Sequence, residues 1–216
     1  MPGWSSDDQA ELPPPPLNPF LREPLLYVGG LTESVPDEVI VEVLHECLRV
    51  RLDIQRPSGS AYATAEGAVA FESLDRGARL LPCSPVSSSP ISTAEKAYAT
   101  VNDTSLPNYG CDLTLHTSPP PAADPAPNAA PRIIKSLPLD TTAGRVFDLF
   151  RPYGPLHRVK LVLAPAFPAG SGPPVFKGQA QVVFYEEEHA RIATEELHCA
   201  EFGGSTIIVQ VRRVWE

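Results

Sequence analysis

Apolar and polar positions alternate in two successive blocks of this chain, and proline-rich stretches separate them. In the first block, Leu25-Leu26-Tyr27-Val28-Gly29-Gly30-Leu31 is an apolar run closing on a glycine pair. That pattern predicts a short buried strand and a turn. Ser34-Val35-Pro36-Asp37 is a helix start, with Ser as cap and Pro in the first turn. Val39, Val43, Leu44 and Cys47 follow at helical spacing. Arg49 to Gln55 alternates strictly and predicts a half-buried strand. Pro57-Ser58-Gly59-Ser60 turns the chain, and Glu66 to Phe71 predicts a third strand. Ser73 can cap a short helix through Leu81. From Pro82 to about Asn108 the pattern breaks, and Ser/Pro-rich sequence predicts a long insertion, either disordered or phosphorylated. A fourth strand is expected at Cys111 to His116.

The second block repeats the order more clearly. Ile133 to Pro138 predicts a strand and turn. Thr142 caps a helix carrying Val146, Phe147, Leu149 and Phe150, which ends at Pro152-Tyr153-Gly154-Pro155. Leu156 to Leu163 predicts a second strand, with Lys160 and Val162 on its open face. In Lys177-Gly178-Gln179-Ala180-Gln181-Val182-Val183-Phe184, Ala180, Val182 and Phe184 point one way and Lys177, Gln179, Gln181 and Val183 the other. A helix begins at Glu186, with Ala190, Ala193 and Leu197 on one face, and Ile207 to Val211 alternates into the last strand. Small alanines let that helix sit close on a sheet.

Composition sharpens the boundaries. The 216 residues include 26 prolines, concentrated between the blocks and before the first. Residues 1–23, with Pro13-Pro14-Pro15-Pro16, read as a disordered acidic tail with polyproline II character. Residues 24–116 form a first unit carrying the insertion at about 82–108. Residues 117–131 are a semi-rigid Pro/Ala linker, and 132–216 a second unit. The net charge of −9 is uneven: 10 basic and 9 acidic residues lie from Arg132 onward, against 7 and 17 before it. Phosphate contacts need Lys or Arg, so the second unit is the better nucleic-acid candidate.

Other chemistry is absent from the pattern. The four cysteines form no Cys-x-x-Cys pair and no histidine cluster completes a metal set. No nucleophile elbow, zinc-protease helix or phosphate loop occurs, so no catalytic residue, metal or cofactor is expected. No apolar run suits a membrane span, and Met1 to Asp8 carries acid where a secretory leader needs base. The expectation is an intracellular protein of nucleus or cytoplasm, with a lean to the nucleus, and no membrane partner.

The segment from Lys177 to Phe184 resembles the octamer signature of the RNA recognition motif (RRM), matching five of its seven specified positions. Leu26 to Leu31 resembles the family's first-strand hexamer, and Val146 to Gly154 its first helix. The resemblance implies an α+β fold: two ferredoxin-like β-α-β-β-α-β sandwiches, each a four-stranded antiparallel sheet with two helices behind it. The first unit is a degenerate copy, with Glu66 and Ala68 at its two octamer stacking positions. It further implies single-stranded RNA as partner, bound across the open sheet of the second unit. Lys135, Lys160, Lys177 and Arg212 would meet phosphates, Gln179, Gln181 and Gln210 base edges, and Ile133 a base face. Tyr27 would be the first unit's stacking residue. Gln179 and Gln181 stand where the family carries aromatic rings. Two lost rings forfeit roughly 2–6 kcal/mol, so binding by this sheet is expected to be weak or to need the first unit.

Two other readings are open. The same fold could serve as a protein-interaction module in a ribonucleoprotein, through the acidic first unit or the proline segments. One such mode holds a partner Trp with an Arg-x-Phe signature, of which only Phe202 is present here. Alternatively, only the second unit is a true domain and the first is a degenerate scaffold or partly disordered.

Overall fold

The computed structural model describes residues 18–21, 25–32, 34–48, 52–55, 65–71, 90–118, 124–164 and 174–212. The first sheet is built from β1 (Leu25–Leu31), β2 (Leu52–Gln55), β3 (Ala65–Phe71), β4 (Thr104–Leu106) and β5 (Cys111–His116), in the order β2-β3-β1-β5-β4. Helices α1 (Asp37–Leu48) and α2 (Pro90–Val101) belong to the same unit. Alternation decides which face of β1 is covered. Leu26 and Val28 are buried while Leu25 and Tyr27 are half-exposed. Ile40 and Leu44, one helical turn apart, bring α1 onto the same core, with Val35 packed just ahead of it.

Helix α2 corrects the expectation of a Ser/Pro insertion from 82 to 108. Its sequence is Pro-Ile-Ser-Thr-Ala-Glu-Lys-Ala-Tyr-Ala-Thr-Val. Ala94, Ala97, Tyr98 and Val101 fall at helical spacing and are buried. Pro90 at the first position costs no hydrogen bond, because that N–H would have no helical partner. Serine and proline here mark a helix start rather than a loop. The helix expected from Ser73 to Leu81 lies outside the described residues. After α2 the chain turns at Asp103, whose φ is +59°, and Asn102 Oδ1 accepts the backbone N–H of Leu115 at 2.8 Å.

The second sheet has the order β11-β6-β8-β7, all antiparallel, from β6 (Arg132–Lys135), β7 (Leu156–Ala164), β8 (Val175–Phe184) and β11 (Ile208–Val211). Helices α3 (Ala143–Phe150) and α4 (Glu187–Leu197) cover one face, and a small hairpin of β9 (Glu201–Phe202) and β10 (Ser205–Thr206) follows. Thr142 caps α3 by accepting from the Arg145 N–H. Val146, Phe147, Phe150, Leu156, Val159, Ala180, Val182 and Phe184 fill the core, joined by Ala190, Ala193 and Leu197 of α4. Gly154 is set by that close approach: a Cβ there would lie 2.4 Å from Cγ of His189 on α4. Arg132 sits inside, at 2% exposure, bound to Glu187 at 2.6 Å, Thr194 at 3.0 Å and the Ala130 carbonyl at 2.6 Å. The Arg132 hydrogen bond holds the Glu187 carboxyl below its usual range.

The two units are not beads on a linker. Ala99 of α2 belongs to the second core, and Tyr185, which follows β8, belongs to the first. Helix α2 lies against β7 and α3. Glu95, 1% exposed, accepts from Arg151 Nε at 2.7 Å and from the Leu156 N–H at 3.4 Å. Unit one thus supplies a carboxylate to the first residue of β7. Burial raises the Glu95 carboxyl above its ordinary value, and Arg151 pulls it back. Lys96 pairs with Asp148 at 2.6 Å and stands 5.9 Å from the Phe147 ring centroid, and Asp103 pairs with Arg158. His157 stands edge-on to both Tyr98 and Tyr185, at centroid distances of 6.0 and 5.3 Å. Burial pushes the Tyr98 phenol up to about 12, raises Tyr185 further, and lowers the His157 imidazole.

The segment expected as tail also contributes. Residues 1–17 lie outside the described residues, but Asn18 and Leu21 are buried, and Phe20 stacks on Tyr185 at 4.6 Å between centroids. The apolar pair Phe20-Leu21 after Pro19 was masked by the proline-rich composition around it. The linker end is tied down as well: Asn128 N–H donates to the Tyr185 carbonyl, and Ala130 N–H to Glu187.

Candidate nucleic-acid interface

The strand register assembles the open face of the second sheet. Gln210 of β11 pairs with Ile133 of β6, Ile133 pairs with Gln181 of β8, and Gln181 pairs with Lys160 of β7. Their sequence neighbours Val209, Ile134, Ala180, Val182 and Val159 are buried beneath the helices. Period-two alternation therefore turns Gln210, Ile133, Gln181 and Lys160 to the opposite face, as one row across all four strands. Lys135 closes β6 opposite Ile208, and its side chain is exposed.

A bulge places the start of β8. Leu161 pairs with Ala180, but Leu163 pairs with Phe176, so β8 carries two extra residues there. Gly178 takes φ +66°, and its carbonyl accepts the Leu137 N–H at 3.0 Å. A Cβ on Gly178 would lie 2.8 Å from the Leu137 carbonyl oxygen. The bulge leaves Lys177 exposed at the rim, with Gln179 half-exposed. At the opposite edge the Arg212 N–H donates to the Pro131 carbonyl at 2.8 Å, and the Arg212 side chain is exposed. Ile133, Lys135, Gln210 and Arg212 line an open depression along this edge, closed by Glu195 of α4 and by His198, which follows that helix.

Electrostatics separate these cations from the rest. Arg132, Arg145, Arg151, Arg158 and Arg191 of the second unit all hold a carboxylate partner within 3.2 Å. Among the described residues, Lys135, Lys160, Lys177 and Arg212 have no salt-bridge partner. The four unpaired cations are those on or bordering the open sheet.

Residues 133–208 match the model of the RNA recognition motif, which covers the bulge, both helices of the second unit and every residue of the open row except Gln210. Residues 133–208 form a domain of the RRM family. RNA-binding protein RRM4 of Mycosarcoma maydis is 36% identical over 202 residues, 93% of this chain. The chain spans about a fifth of that relative, 22% of its length. Among solved structures, the first two RRM domains of yeast poly(U)-binding protein align with 88% of this chain and 99% of theirs, at 10% identity and TM-score 0.35. A Sex-lethal protein–RNA complex aligns over the same shares, at 16% identity and TM-score 0.37.

The first unit presents a different face. Tyr27 stands apart from the second sheet's row and pairs with Ala68 on one side and His116 on the other. Tyr27, Thr114 and His116 are half-exposed, while Leu113 and Leu115, alternating with the last two along β5, are buried. His116 is a residue that alternation along β5 already turned outward, yet sequence reasoning passed over it. Its Nδ1 lies 3.0 Å from Asp124 Oδ2. The other Asp124 oxygen accepts from the Thr117 N–H and hydroxyl, both at 2.9 Å. Asp124 is the one charged residue of the 117–131 linker, which was the available signal.

Proposed function

We propose that this protein binds single-stranded RNA across the open sheet of its second RRM and carries out no catalysis. The observation that carries the reading is the set of four unpaired cations, Lys135, Lys160, Lys177 and Arg212, around a row of hydrogen-bonding and apolar side chains. Cations already neutralised by carboxylates release few counterions from RNA; unpaired ones release them freely. In this reading the four contact phosphates, Gln179, Gln181 and Gln210 contact base edges, and Ile133 packs under a base. Tyr27 stacks a base on the first RRM. The relative named above is described as RNA-binding, which supports the same reading.

The rings missing at Gln179 and Gln181 weaken this sheet by roughly one to four decades in affinity if the losses add. Docking of the two units offsets part of that loss, because the first RRM is held in place rather than tethered. The docking also fixes the form of the test. A fragment beginning near residue 130 would lose the Glu95 carboxylate and expose Tyr185, so the full chain is the species to titrate. Its affinity for a random RNA pool at low salt is expected to fall on Lys177→Glu. Absence of binding, or an affinity indifferent to Lys177→Glu, would refute the reading.

Protein partners are a second reading, favoured by the net charge of −10 on residues 1–131. The Trp-capturing mode is disfavoured, because Arg145 already lies over the Phe202 ring at 5.2 Å. Partners that survive nuclease treatment in a pull-down would support this second reading.

A further inference from the structure

We infer that His116 is a second base-stacking ring of the first RRM, laid over Gly29 beside Tyr27 and oriented by Asp124 of the linker. This rests on the RNA-binding reading above and extends it to a residue outside both signature segments.

Three observations meet at His116. It lies directly across from Tyr27 in the β1–β5 register, so two rings stand side by side on the open face. Gly29, next on that face, is where the imidazole lies: a Cβ there would come within 3.4 Å of His116 Nε2 and 3.1 Å of Thr114 Oγ1. Gly29 lies outside the left-handed backbone region, unlike Gly30 at φ +75°, so the turn does not demand a glycine at position 29. Its missing side chain leaves room for the imidazole beside the strand. Finally, Asp124 Oδ2 accepts from Nδ1–H at 3.0 Å, which leaves the lone pair of the neutral imidazole on Nε2. The ring has one tautomer and one orientation, with its side chain still 32% exposed.

A ring held by Asp124 beside a tyrosine suits a nucleobase. Stacking is indifferent to base identity, and the Nε2 lone pair can accept from a base N–H. Asp124 does not present a bare charge to the backbone of the RNA, because three donors already engage it. The first unit's octamer positions fall on Glu66 and Ala68; Tyr27 and His116 move the rings to the opposite pair of strands.

The test titrates the full chain with a random-sequence single-stranded RNA of about ten nucleotides. His116→Ala is expected to weaken binding about 5- to 150-fold, the range of one lost stack. His116→Phe keeps the ring and loses the bond to Asp124, and is expected to retain most of the affinity. If His116→Ala binds as wild type does, or His116→Phe is as weak as His116→Ala, the inference is overturned; in the second case the imidazole serves the linker alone. The Lys160→Gln/Lys177→Gln variant separates the two claims. Loss in His116→Ala but not in this variant sinks the second-sheet reading and leaves the inference standing. The reverse sinks the inference and leaves that reading.

Discussion

In the RNA-binding reading proposed above, the two open sheets divide the means of holding RNA between them. Among the described residues, the second has four unpaired cations and no ring in its open row. The first has two rings on β1 and β5, and an acidic chain around them. Each alone lacks one of the two contributions, charge and stacking, that single-strand binding combines. The contrast matters because the units are docked through buried groups, which holds the two sheets in a fixed relation to each other. An RRM that has lost its aromatic positions need not have lost its ligand when its neighbour is held against it.

Breaking the docking is the largest change available. Glu95→Ala leaves Arg151 without its buried partner and the Leu156 N–H without its acceptor. The expected cost is about 3–5 kcal/mol of stability, the range for splitting a buried pair. Chemical unfolding of the full chain would read it as a lower midpoint. An unchanged midpoint would mean that the units are independent and that the comparison joins surfaces with no fixed relation.

Next in size is an attempt to make the sheets alike. Gln181 lies between Ile133 and Lys160 in the open row. Gln181→Phe restores a ring there and is expected to tighten RNA binding by about 1–3 kcal/mol. No gain in an equilibrium titration would show that the row does not meet bases.

The smallest expected effect is in pH. Burial lowers the His157 imidazole, with Arg158 adding to the shift and Asp124 and Asp103 opposing it. Below about pH 6.5 the unfolded chain binds a proton that the docked state resists, so stability declines as pH falls through that value. Glu95 responds in the opposite sense, since its raised carboxyl favours protonation in the folded state. The difference between wild type and His157→Phe isolates the histidine. Melting temperatures at pH 7.5 and 5.5 should converge more closely in the variant, and equal pH slopes in both proteins would remove His157 from the account.

Much of the second sheet was legible in the sequence, because strict alternation from Lys177 to Phe184 assigns each side chain a face and the register follows. The alanines of α4 and the Thr142 cap were equally local signals. The bulge at Gly178 leaves no such trace, since it depends on the Leu137 backbone far along the chain. Helix α2 was lost to composition: serines and prolines outweighed the helical spacing of Ala94, Ala97, Tyr98 and Val101. With α2 went Glu95, whose role exists only when Arg151 and β7 are present to receive it. His116 needed both its strand register and a linker carboxylate, and Asp124 gains meaning only once the chain folds back.

The central claim is that the four unpaired cations are the phosphate contacts, and the salt dependence of RNA affinity tests it most directly. Four contacts to single-stranded RNA predict a slope of about −2.8 for log K against log salt. In the full chain bearing Lys135→Gln, Lys160→Gln, Lys177→Gln and Arg212→Gln, that slope should fall close to zero. The paired-cation control, Arg145→Gln/Arg191→Gln, should keep it. A slope unchanged by the four substitutions, or lost in the control, would contradict the account.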